Sequence, residues 1–120
     1  MAFNFSETTR FYCYSEPVDM RKGIHSLYSI IKTRSEFNAL GGDAYIFISA
    51  SRKSVKVIRW HNEGFVLYHK KLELGLYTLP RRNSDTLFFE MENKSFEDLI
   101  CSIKHRSIGG ELRRNAMLIL

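Results

Sequence analysis

Lys56-Val57-Ile58-Arg59-Trp60-His61-Asn62-Glu63-Gly64-Phe65-Val66-Leu67-Tyr68-His69-Lys70-Lys71-Leu72 is the stretch whose reading decides the fold. It is rich in β-branched and aromatic residues and broken once, by a polar His61-Asn62-Glu63-Gly64 segment, as two strands joined by a tight turn should be. Ser54 to Trp60 forms one arm and Phe65 to Leu72 the other. Alternation divides the first arm into Val55, Val57 and Arg59 against Lys56, Ile58 and Trp60. Apolar residues fall on both sides near the turn and charge at the far ends, a pattern expected of a sheet covered in part on both faces.

Upstream, Ala44 to Ser49 reads as another strand and Ala50-Ser51-Arg52-Lys53 as its turn, which extends the pair to a three-stranded antiparallel meander. Phe11-Tyr12-Cys13-Tyr14 is a short aromatic strand closed by Pro17, and Thr86 to Met91 a late one. Ile24, Leu27, Tyr28 and Ile31 recur at helical spacing, predicting a helix from about Met20 to Thr33 with Asp19 as its cap. Asn38 to Gly42 reads as a turn. Phe96, Leu99, Ile100 and Ile103 mark a second amphipathic helix, with Ser95 and Asp98 spaced as a capping box. The sequence assigns no structure to residues 104–120. The expected fold is α+β: a central antiparallel β-meander with an N-terminal and a C-terminal helix packed on it, in one domain over residues 1–120. Trp60, Ile46, Ile58 and Leu67 are expected in its core.

A chain of 120 residues, 44% hydrophobic and 26% charged, has the composition of a soluble globular domain. No apolar run approaches the roughly 20 residues that span a membrane, and no secretory signal is visible, so a cytoplasmic protein is expected. Cys13 and Cys101 stand far apart and read as free thiols. The net charge of +5 is localised. Between Asp43 and Arg82 there are eight bases and three acids, whereas the rest of the chain holds ten of each. Such a concentration favours a polyanion or an acidic protein surface as partner.

Two stretches resemble one known family. Pro17-Val18-Asp19-Met20-Arg21-Lys22-Gly23-Ile24 is similar to the PVDMRKGID-type opening of the TnpB (Orf2-like) accessory proteins of the IS-66 insertion-sequence family. Lys56 to Gly75 resembles that family's K-(hydrophobic)-L-x-W-D-x-D-G-F-x-L-x-x-K-R-L-E-x-G core. With Tyr45-Ile46-Phe47-Ile48, the similarity spans roughly residues 11 to 80. The chain departs from the pattern at His61, where Asp is usual, and at Lys71, where Arg is common. Its basic run after the first meander strand is also thinned to Arg52-Lys53. The resemblance implies a protein encoded beside a DDE-type transposase and needed for efficient transposition.

Candidate sites follow from the bases. Arg21 and Lys22 beside the free amides of a helix start could hold a phosphate; alternatively they are solvated, with Arg21 paired to Glu16 or Asp19. Arg52, Lys53, Lys56, Arg59, Lys70 and Lys71, with Trp60, Phe65 and Tyr68 among them, could form a surface for a nucleic-acid backbone; alternatively the aromatics are core and the bases a wet rim. His25, His61, His69 and His105 show no metal-ligand spacing, and no nucleophile motif or catalytic carboxylate set is recognisable. The expectation is therefore a non-catalytic factor without cofactor or metal. It would bind DNA at the element ends through Arg21, Lys22 and the meander bases. The alternative is an adaptor for the transposase or a sister accessory protein, and exposed strand edges leave room for a homodimer.

Overall fold

The computed structural model describes residues 8–80 and 85–101. Five strands and two helices follow in the order β1 (Phe11–Tyr14), α1 (Ile24–Arg34), β2 (Ala44–Ile48), β3 (Ser54–His61), β4 (Gly64–Lys71), β5 (Phe88–Met91) and α2 (Asn93–Cys101). The strands make one mixed sheet ordered β4-β3-β2-β1-β5. The meander β2-β3-β4 is antiparallel throughout, with Tyr45 beside Ile58 and Ile58 beside Leu67. The sequence did not reveal that β1 lies parallel to β2 and antiparallel to β5. A parallel pair needs a long crossover, which the α1 segment provides between β1 and β2.

Alternate residues supply two cores. On one face Tyr12, Tyr14, Tyr45, Phe47 and Ile58 meet Leu27 and Ile31 of α1. On the other, Phe11, Cys13, Ile46, Val55, Val57, Phe89 and Met91 meet Phe96, Leu99 and Ile100 of α2. The sheet is thus the middle of three layers, which is why every residue of β1 and β2 is buried and their alternation is invisible in hydropathy. Ile46 and Ile58 are buried as expected, but Trp60 and Leu67 are only half-buried. Leu67 is on the edge strand β4, and Trp60 stands next to the β3–β4 turn. Trp60 packs edge-on to its cross-strand neighbour Phe65, 5.0 Å between ring centres, and Phe65 meets Tyr28 of α1.

Both helix starts differ from the sequence expectation. Asp19 does not cap α1: its carboxylate accepts the Arg21 amide at 2.9 Å, its carbonyl accepts the Lys22 amide at 3.1 Å, and the chain makes a turn there. Helix α1 begins at Ile24, behind Gly23, whose carbonyl takes the first helical bond from Leu27. Helix α2 starts directly after β5, with the Glu92 carbonyl accepting the Phe96 amide, so Ser95 lies inside it rather than at its cap. Ile103 lies outside the described residues. The β3–β4 turn places Asn62 and Glu63 at φ 49° and 66°, the left-handed pair of a two-residue hairpin.

Candidate nucleic-acid interface

The bases singled out from sequence gather mostly at one end of the sheet, where the parallel strands β1 and β2 finish and α1 begins. Register fixes this: Ser54, opening β3, lies beside Lys71, and Val55 beside Lys70, while the β2–β3 turn carries Arg52 and Lys53. Arg59 is at the opposite end, beside Ala44. They do not form one continuous surface. Cross-strand partners share a face, so Lys56, His69 and Lys71 belong to the α1 side and Arg59 and Lys70 to the α2 side.

Several of these charges are committed to the fold. Lys56 is only 6% exposed. Its Nζ donates to the carbonyls of Met20 at 2.7 Å and Lys22 at 2.8 Å, pinning the turn before α1 onto the sheet. The expectation that Lys56 stands on an open surface is corrected accordingly: β3 is covered by the chain entering α1. Lys70 Nζ donates to the Ile100 carbonyl at 2.9 Å, capping the last turn of α2, and burial depresses its pKa. Arg52 has a left-handed backbone, φ 63°, and its Nε donates to the Tyr77 carbonyl at 3.0 Å while its own carbonyl accepts the Tyr77 amide at 2.7 Å. It braces the segment after β4 against the β2–β3 turn. Arg21 forms a bidentate pair with Asp19, holding that carboxyl well below the usual carboxylate range. The Arg21 side chain is nonetheless 91% exposed. Arg59 contacts the His61 ring at 3.2 Å.

Lys22, Lys53 and Lys71 are exposed and form no ion pair among the described residues. Lys71 is two residues along β4 from His69, about 7 Å, and His69 lies across from Lys56, whose ammonium touches the Lys22 carbonyl. The imidazole registers this positive neighbourhood: its pKa is lowered by burial first, then by Lys56 and Lys71. Sequence reasoning missed His69 as part of the patch because exposure and register, not spacing, put it there. A cleft of about 330 Å³ opens at the same end, with Cys13, Ile48, Leu79 and Phe89 among its apolar walls and Glu16 and Arg52 among its polar ones. Both cysteines are free, Cys13 buried in the sheet and Cys101 half-buried at the end of α2. Among the described residues no three His, Cys, Asp or Glu side chains gather as a metal site, and no helix is long and apolar enough to cross a membrane.

In architecture this is a small α+β domain with a basic sheet end and helices on both faces. More particularly, residues 9–109 match the family model described as IS66 Orf2 like protein, and the chain belongs to that family. It is therefore an insertion-sequence accessory protein. A relative from Sinorhizobium fredii, named as the uncharacterized protein y4jC, is 26% identical over 81 residues, covering 68% of this chain and 69% of the relative. No solved structure matches.

Proposed function

We propose that this protein supports transposition without catalysis of its own, in the cytoplasm, by binding DNA phosphates at the basic end of its sheet. Lys22, Lys53 and Lys71 make the direct contacts in this reading. Arg21 sits at their edge, and Lys56 acts from beneath by fixing the backbone that presents Lys22. Three exposed lysines at one sheet end, without carboxylate partners among the described residues, carry the proposal. Backbone contacts of this kind are independent of sequence and release counterions, so affinity should fall with salt by roughly 0.9 per contact on a log–log plot.

The test is fluorescence anisotropy with element-end and unrelated duplexes across a salt series. Lys22→Ala with Lys71→Ala should weaken binding about equally for both duplexes and flatten the slope by up to roughly two. Unchanged affinity in the folded double variant would remove this surface from consideration. Exposed Val66, Leu76 and Leu79 favour a second reading, an adaptor for the transposase or a sister accessory protein. Tight transposase binding, with no DNA binding at low salt, would establish it.

A further inference from the structure

Strand β4 ends the sheet, and its outer side has no strand partner among the described residues. Which of its backbone groups point outward follows from one bond: the Leu72 amide donates to the Lys53 carbonyl at 2.7 Å. That makes Lys53 and Leu72 a hydrogen-bonded pair, and antiparallel pairs alternate. Along the register, Lys70, Tyr68, Val66 and Gly64 therefore bond to β3, while Phe65, Leu67, His69 and Lys71 direct their N–H and C=O away from it. Eight consecutive residues pair with β3 without a bulge, and none is proline. Neither of these common guards against edge pairing is present on this strand.

We infer that β4 pairs antiparallel with β4 of a second copy, about a two-fold axis through Leu67. In this register the outward-facing residues meet one another, with Leu67 beside the second copy's Leu67 and Phe65 beside its His69. Val66, 42% exposed, meets Tyr68 on the α2 side. The charges agree as well: Glu63, just before β4, comes beside Lys71 of the other copy, twice by symmetry. Moving the axis to Tyr68 sets Lys71 against Phe65, and moving it to Val66 sets Lys71 against His61. A shift of the axis by half a residue sets outward-bonding residues against inward-bonding ones and breaks the ladder. Of these axes, only the one through Leu67 sets Glu63 against Lys71 while keeping outward-bonding residues and apolar side chains opposed. The result is a continuous ten-stranded sheet with isologous contacts, in which Lys71 is engaged by Glu63 of the second copy and the DNA contacts of the proposed function fall to Lys22 and Lys53.

Light scattering on the full chain over a range of concentrations should show a species of twice the monomer's 14.1 kDa. Glu63→Lys alone and Lys71→Glu alone should each raise the dimer dissociation constant roughly tenfold or more, through lost pairs and new repulsion. The double exchange should restore it. Under mild oxidation Leu67→Cys should crosslink across the axis, since directly opposed strand residues approach within disulfide range, whereas Phe65→Cys should not. A monomer at all concentrations would overturn the inference. So would a dimer indifferent to the charge exchanges, or one that crosslinks at position 65 but not 67; these results would assign the contact to another surface or to residues 102–120.

Discussion

Replacing Lys56 with Met separates a structural lysine from a DNA-contacting one. Methionine keeps the length of the stem and its packing against the sheet, but removes the ammonium that joins β3 to the carbonyls of Met20 and Lys22 at 2.7 and 2.8 Å. Hydrogen bonds to a charged donor contribute roughly 1.5–3 kcal/mol each, so two would suggest a loss of about 3–6 kcal/mol. Two effects reduce it. Burying an ammonium costs several kcal/mol after relaxation, a cost the variant avoids. The Lys22 carbonyl, in an exposed residue, can also turn to water. The remaining loss is about 2 kcal/mol, mainly from a Met20 carbonyl left without its donor. For a domain of this size that is about 1 M in urea midpoint and on the order of 8 °C in melting temperature. Urea denaturation followed by Trp60 fluorescence measures it, and on the proposed reading the folded variant should lose no more DNA affinity at low salt than Lys22→Ala does, since the tie presents Lys22 alone. A variant as stable as wild type that has lost DNA affinity would refute this assignment and return Lys56 to the surface.

Glu63→Gly should stabilise the fold by roughly 1 kcal/mol, because Glu63 holds φ at 66° where a side chain costs about 1–2 kcal/mol and glycine costs little; urea denaturation at low protein concentration checks it. Cys13, its thiol pushed up to about 12 by burial, should resist alkylation in the native state at neutral pH. Mass spectrometry after a short iodoacetamide pulse reads this, and only unfolding should expose the residue. His69 has a folded pKa below its ordinary value, so protonation costs the folded state more than the unfolded one. Stability should therefore rise as pH rises through the lowered value toward about 6.5, and His69→Gln should remove that part of the slope in denaturation at pH 5 and pH 8.

The meander was legible because each of its strands carries its own signal: β-rich runs, a four-residue polar break, and charge at the outer ends. The helices were legible in their apolar spacing but not in their first turns. Asp19 has an ideal capping residue type and spends its carboxylate on Arg21 instead. The parallel pairing of β1 with β2 was hidden for a different reason. Both strands are buried on both faces, and a uniformly apolar run states neither direction nor neighbour. Lysine residues mislead in a related way. Composition counts Lys22, Lys56, Lys70 and Lys71 as equals, but the turn before α1 and the end of α2 lie on opposite faces and each draws one strand lysine into backbone contact. Only the register shows which of them stay in water.

Lys56 also joins the two distant stretches of this sequence that resemble the family. One is the turn Pro17 to Ile24, which enters α1; the other begins at Lys56 itself. In the fold they meet: the carbonyls of Met20 and Lys22, on either side of Arg21, converge on the Lys56 ammonium. The contact spans 34 residues or more and fixes where α1 may start, because both acceptors lie in the turn that immediately precedes Gly23. It also fixes how Lys22 is presented, since the residue whose carbonyl is held keeps its side chain in solvent. A change in the turn should therefore be felt at the basic patch without touching any lysine. Lengthening the turn by one glycine after Gly23 would leave every charge in the chain intact. Salt-dependent DNA affinity that survived such an insertion would mean that Lys22 acts as a loose counter-charge and that the tie at Lys56 serves stability alone. Affinity lost together with a retained melting temperature would show that the tie positions the patch.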